Sequence, residues 1–122
     1  VSKVLKSTWP ECRVAILEPA SAPVITEGRA GTHGVEGIGN GFVPPLLDER
    51  LYDEACAVPE DEARVMCRQL AKEEGILVGT STGLNVVAAI ALAEKLGPGK
   101  TVITVACDMG LRYVRGGLFT SE

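Results

Sequence analysis

Glycines at positions 31, 34, 37, 39 and 41 crowd the run Gly31-Thr-His-Gly-Val-Glu-Gly-Ile-Gly-Asn-Gly-Phe-Val-Pro44, and no regular helix or strand is built from such a segment. Each glycine gives up more backbone entropy on ordering than any other residue and brings no side chain to pack. A chain keeps a segment of this kind where its backbone must come very close to something, or must move. Residues 20–47 therefore read as one long loop with a helical turn near Ala22–Thr26. Loops of that length are uncommon in compact domains and usually functional.

A second run, Glu74-Gly-Ile-Leu-Val-Gly-Thr-Ser-Thr-Gly83, reads as a short apolar strand, Ile76–Val78, turning through Gly79-Thr80-Ser81-Thr82-Gly83 into a helix over Gly83–Leu96. A strand-to-helix turn of this sort aims one hydroxyl and several backbone N–H groups at a single point. For Thr80 and Thr82 a plain N-cap role stands beside a role in a site. Three hydroxyls are more than one cap needs. A phosphate, a ring nitrogen and a carboxylate would all suit such a turn, although no lysine follows as in a nucleotide P-loop. The two glycine segments read together as two walls of a small-molecule site.

The rest of the chain frames those walls. Arg13–Pro19 is a nearly continuous apolar run stopped by proline, which suits a strand covered on both faces. Tyr52–Val58 and Thr101–Ala106 are further strand candidates. Pro59 and the acidic residues Glu60, Asp61 and Glu62 open a helix. Ala63, Met66, Cys67, Leu70 and Ala71 form its buried stripe, and Gly75 ends it. The helix through Val86–Leu92 is apolar nearly all round and is expected to be the most buried one. Residues 1–8 read as a helix ended by Trp9-Pro10, and Asp108–Glu122 as an irregular tail. Helices alternating with β-branched runs predict an α/β fold, a three-layer parallel sheet with helices on both faces.

Composition narrows the function. A length of 122 residues suits one domain, and the net charge of −4 with scattered Lys and Arg argues against a nucleic-acid partner. The longest apolar stretch, Val86–Ala93, reaches less than half of the ~20 residues a bilayer requires. The four cysteines, Cys12, Cys56, Cys67 and Cys107, include no Cys-x-x-Cys pair. That spacing favours reduced, mostly buried thiols in a cytoplasmic chain over disulfides, and no metal site is expected. Val1, Val4 and Leu5 recur at helical spacing with no cap before them, so the chain is expected to begin inside a larger protein.

Single residues carry less. His33 reads equally as a surface histidine or a functional one. Asp108 follows a strand candidate at its carboxyl end, where α/β sheets place ligands, but an Asp there also serves as a cap. Glu60-Asp61-Glu62 reads as a solvated helix start. Gly37-Ile-Gly39-Asn-Gly41 lacks the preceding strand and following helix of a dinucleotide fingerprint. One histidine without partners makes no nucleophilic triad.

The motifs resemble a known family. Gly31 to Pro44 resembles the glycine loop of cysteine synthases (O-acetylserine sulfhydrylases), usually G-P-H-x-I-x-G-I-G-A-G-F-x-P. Glu74-Gly-Ile-Leu-Val-Gly-Thr-Ser-Thr-Gly-Leu-Asn85 resembles E-G-I-L-x-G-x-S-S-G-A-A, and Cys107-Asp-Met-Gly-Leu-Arg-Tyr113 with Leu118-Phe119 resembles P-D-x-G-E-R-Y…L-F. Order and spacing match from Arg13 to Phe119. The resemblance implies pyridoxal 5′-phosphate (PLP) in the tryptophan-synthase-β type of fold (fold type II), and β-replacement of acetate on O-acetylserine by sulfide. By position, Ser81 faces the pyridine nitrogen, with Gly79 and Thr80 beside it and Asp108 behind the ring. Gly37, Ile38 and Gly39, with His33, form the loop that closes over substrate.

Departures are equally informative. The family's PLP lysine lies in an N-terminal motif, and none of Lys3, Lys6, Lys72, Lys95 and Lys100 has that context. The family's Pro is Cys107 here, its second serine is Thr82, and its Ala-Ala is Leu84-Asn85. The resemblance thus implies the C-terminal part of the PLP-binding large domain over residues 1–122. Such a part holds no catalytic lysine, is inactive alone, and exposes strand edges and apolar faces. It also implies a homodimer, with serine acetyltransferase as a further partner. Related activities on the same scaffold, cystathionine β-synthase and serine/threonine dehydratase, remain open, as does a non-catalytic α/β scaffold domain.

Overall fold

The computed structural model describes residues 1–120; the last two positions of the expected tail lie outside the described residues. Two strands, β1 (Ala15–Pro19) and β2 (Glu54–Val58), pair in parallel with Ala15 opposite Glu54 and Pro19 opposite Val58. Parallel neighbours need a long crossover. Here the crossover is the glycine-rich loop, which opens with the short helix α2 (Val24–Glu27) close to its expected position. The preceding helix α1 (Ser2–Thr8) is tied to the strand starts by Lys6, whose ammonium lies 2.8 Å from the Asp53 carboxylate. The same carboxylate accepts the Val14 N–H at 2.7 Å.

Helix α3 (Glu60–Gln69) follows Pro59 directly, since proline's fixed φ suits the residue before a helix. A π-helical turn, Leu70–Glu74, extends it to Gly75, which sits at φ 68° where only glycine is free of strain. Of the expected stripe, Ala63 and Cys67 are buried; Met66, Leu70 and Ala71 are half-buried. Helix α4 (Thr80–Leu96) begins three residues earlier than predicted. It crosses α3 and also packs on both strands. The core is small: Val58, Ala63, Leu84 and, from the glycine loop itself, Val35 are buried, with Leu17, Ile38, Val87 and Ala88 against them.

Four expectations are corrected. Thr101–Ala106 joins no ladder among the described residues, and Ile103 (86% exposed) and Val105 (65%) stand in solvent. A β-branched run encodes extended backbone, but a strand also needs a neighbour with free N–H and C=O groups. Ile76–Val78 makes only an antiparallel bridge, Val78 to Met109. Helix α4 is buried only over Thr80–Leu84, and Ile90 is 46% exposed, because no described element covers its outer face. The tail is also more regular than expected, with a 3₁₀ segment over Gly110–Gly116. The parallel α/β layering itself is as predicted. No helix among the described residues is long and apolar enough to cross a membrane.

Candidate functional site

The start of α4 is the centre of the site. Gly79 occupies the N-cap position with extended backbone and no side chain to cap the helix. The first N–H groups of a helix have no intrahelical acceptor and carry partial positive charge, so this end favours a polar or anionic group. The expectation that Thr80 or Thr82 is the N-cap is overturned: both lie inside the first turn. Thr82 instead accepts the Cys107 N–H on Oγ1 at 3.0 Å. Ser81, in the same first turn, is buried at 8% exposure.

Asp108 comes to the same place. Its carbonyl accepts the Gly79 N–H at 3.4 Å, and the Gly110 N–H reaches Leu77 O at 3.0 Å, clamping the segment onto the residues before α4. The Asp108 Oδ1 atom is buried and has no partner among the described residues. A Cβ on Gly79 would run into that oxygen and into the Tyr113 ring, so glycine is required for their approach. Asp108 Oδ2 accepts the Tyr113 hydroxyl at 2.6 Å, and Arg112 lies 3.7 Å away on the solvent side.

The carboxylate beside Tyr113 pushes its phenol up to about 12, with burial adding to the shift. An unfolded tyrosine titrates near ~10, so between about pH 10 and 12 the folded state retains a proton that the unfolded state has lost. Stability from this contact is complete below about pH 10 and is lost as pH rises through about 12. Thermal melts of Tyr113→Phe should lack that alkaline component. An identical fall in melting temperature over this range in both proteins would refute the assignment.

The glycine loop forms the second wall. Val35, 2% exposed, belongs to one cluster with Leu84 of α4. Gly37, Gly39 and Gly41 have φ of 84°, 65° and 80°, the left-handed region that glycine adopts without strain. His33 Nδ1 accepts the Val35 N–H at 3.1 Å, and Nε2 lies 2.9 Å from Gly39 O. The Gly34 N–H donates to Glu60 Oε2 at 2.6 Å, while Arg64 Nε holds Oε1 at 3.0 Å. The Gly34 bond, followed by Arg64, draws the Glu60 carboxyl below its ordinary value.

Glu60 is thus no solvated helix start. Its role was invisible in sequence because Gly34 lies 26 residues away, and the only signal was a glycine where a Cβ would stand 2.6 Å from the carboxylate. Tyr113 was likewise missed as a partner of Asp108. Of the expected site residues, Gly79 meets Asp108 directly, and Thr80 and Ser81 follow it in the first turn of α4. The loop residues His33, Gly37, Ile38 and Gly39 join them through Val35 and through Glu36, 4.0 Å from Arg112. Cys67 is buried and Cys12 and Cys56 are half-buried, but Cys107 is exposed, against expectation; all four thiols are free.

The family of pyridoxal-phosphate dependent enzymes matches residues 1–108. The chain belongs to that family. It is 43% identical over its 122 residues to the cysteine synthase of Staphylococcus aureus, of which it spans 39%. O-ureido-L-serine synthase superposes with a TM-score of 0.92 at 36% identity, over 98% of this chain and 38% of that one. The O-acetylserine dependent cystathionine beta-synthase of Helicobacter pylori superposes with a TM-score of 0.88 at 34% identity, over 98% and 39%. The chain therefore spans about two fifths of the length of the relatives it matches.

The residues of this member of the pyridoxal-phosphate dependent family fit the cofactor. The buried Asp108 Oδ1, without a partner among the described residues and beside the first turn of α4, is a polar atom that a bound cofactor would satisfy. Buried polar atoms without partners are rare in folded proteins, and a ligand is one resolution.

Proposed function

We propose that this chain is the C-terminal part of the PLP-binding domain of an enzyme that makes L-cysteine from O-acetylserine and sulfide. The observation that carries the reading is the Asp108 Oδ1 atom, buried beside Gly79 at the start of α4 yet without a partner among the described residues, with Ser81 buried in the adjoining first turn. Bound PLP supplies an electron sink that lets acetate leave the β carbon of the amino acid. Ser81 would hold the ring nitrogen with a neutral hydroxyl, which unlike a carboxylate does not keep that nitrogen protonated. Asp108 would stand behind the ring, oriented by Tyr113, with Gly79 and Thr80 as backbone wall. The loop through His33, Gly37, Ile38 and Gly39 would close over the substrate and exclude water from it.

None of the lysines of this chain has the context of the covalent PLP site, so the chain alone would be inactive and the lysine would come from the remainder of a full-length protein. A cytoplasmic homodimer, with serine acetyltransferase as a partner, completes this reading. The likeness to an O-acetylserine dependent cystathionine beta-synthase favours one alternative, in which a thiol amino acid replaces sulfide as the acceptor.

The test is the visible absorbance of the full-length protein reconstituted with PLP, before and after O-acetylserine, followed by product analysis with sulfide and with homocysteine. A cofactor band that shifts on addition of O-acetylserine, and cysteine as product, is the expected result. Ser81→Ala should weaken retention of the cofactor by about tenfold, the loss of one buried hydrogen bond, and displace the band. Unchanged affinity and spectrum in Ser81→Ala would remove Ser81 from the site, and no band in the parent protein would leave the scaffold reading.

A further inference from the structure

We propose that His33 is the positioning residue of the glycine-rich loop, a clasp whose two ring nitrogens fix two different parts of the loop. The inference rests on the site assigned above only for its catalytic consequence; the clasp itself stands on the geometry of this chain. The Val35 N–H can only donate, so Nδ1 must offer its lone pair at 3.1 Å. The ring proton therefore resides on Nε2, which donates to Gly39 O at 2.9 Å. The first bond runs from a side chain to the N–H two residues on, the pattern of an Asx turn with imidazole in place of a carboxamide. The second spans six residues. Between the two bonded positions lie Glu36, Gly37 and Ile38, and Gly37 and Gly39 are both in the left-handed region.

Neither glycine has an intrinsic preference for that region, so an external tie has to select it. Two further constraints converge on the same turn. Val35 is buried in the core, and Gly34 is held by Glu60 from α3. Gly39 also passes so close to the His33 ring that no Cβ could stand between them. The imidazole is thus a template for backbone at Gly37–Gly39. Its effect on substrate is indirect, through the direction of those peptide groups.

The two bonds can be separated by substitution. His33→Asn keeps an acceptor at the position of Nδ1 and loses the reach to Gly39. His33→Gln keeps a donor at the position of Nε2 and loses the turn. Hydrogen exchange of peptides within Gly31–Pro44, followed by mass spectrometry on the full-length protein without cofactor, reads the clasp directly. In His33→Ala, exchange should rise about tenfold, one hydrogen bond's equivalent, with α4 unchanged. Each single-bond variant should recover protection at its own end of the loop: Asn near Val35, Gln near Gly39.

In the reconstituted enzyme, KM for the amino-acid substrate should rise about tenfold in His33→Ala while kcat stays within about twofold, because the loop positions substrate. Loop exchange unchanged in His33→Ala overturns the clasp. Equal recovery in both single-bond variants, or a loss confined to kcat, overturns its division of labour. An enzyme that binds no PLP sinks the function proposed above but leaves the exchange result on the apoprotein intact.

Discussion

Gly83→Ala should destabilise the protein by about 3 kcal/mol or more, the range of a core clash that backbone cannot relieve. Helix α4 crosses α3 at this residue, and an added Cβ would overlap the Ala63 carbonyl oxygen and stand 2.6 Å from Cys67 Sγ. The thiol sits there because it donates to Gly79 O at 3.2 Å, and burial pushes its pKa up. An alanine in an unobstructed helix interior would instead stabilise by about 1 kcal/mol. The two effects have opposite sign, so a urea titration of wild type and variant decides between them. A variant as stable as the parent would show that α3 and α4 do not meet as closely as described.

Glu18→Ala is expected to cost about 3 kcal/mol, since hydrogen bonds to a charged acceptor contribute about 1.5–3 kcal/mol and three part-buried donors lose theirs. Glu18 is 4% exposed. Its carboxylate accepts Ile25 N at 2.8 Å, Thr26 N at 2.7 Å and Thr26 Oγ1 at 2.6 Å, satisfying the first turn of α2. Glu18→Gln should recover only part of the loss, because its NH₂ would face donors. Thermal denaturation of the three proteins checks this, and the prediction fails if Glu18→Ala melts with the parent. The consequence reaches the site, since α2 sets where the glycine loop departs from β1.

Local chemistry made much of this architecture legible. The apolar run ending at Pro19, the proline and acids at 59–62 and the glycine at 75 each named an element or its end, and each stands close to its expected place. The approach of Asp108 to Gly79 was legible from the glycine at the turn into α4, although the strand expected before each of them is absent among the described residues: Ile76–Val78 makes a single bridge and Thr101–Ala106 none. What escaped was non-local. No pattern in Thr101–Ala106 discloses whether a neighbour exists to pair with it, and Glu60 could not be distinguished from Asp61 or Glu62 until Gly34 was found beside it. Burial of α4 was overread for the same reason: an apolar face records what a helix can bury, and the covering element is a separate fact.

Thr82 and Asn85, one turn apart on α4, take on the unpaired run leading to Asp108. Thr82 Oγ1 accepts the Cys107 N–H at 3.0 Å, and Asn85 Nδ2 donates to Val105 O at 3.0 Å and approaches Cys107 Sγ at 3.5 Å. One acceptor and one donor on a helix thus do what the edge of a strand would do. A ladder spreads alignment over many bonds and resists rotation; two side chains on one cylinder do not. The path of the chain into Asp108 is therefore set by the rotational position of α4's first two turns, where a sheet would have set it by translation along a strand.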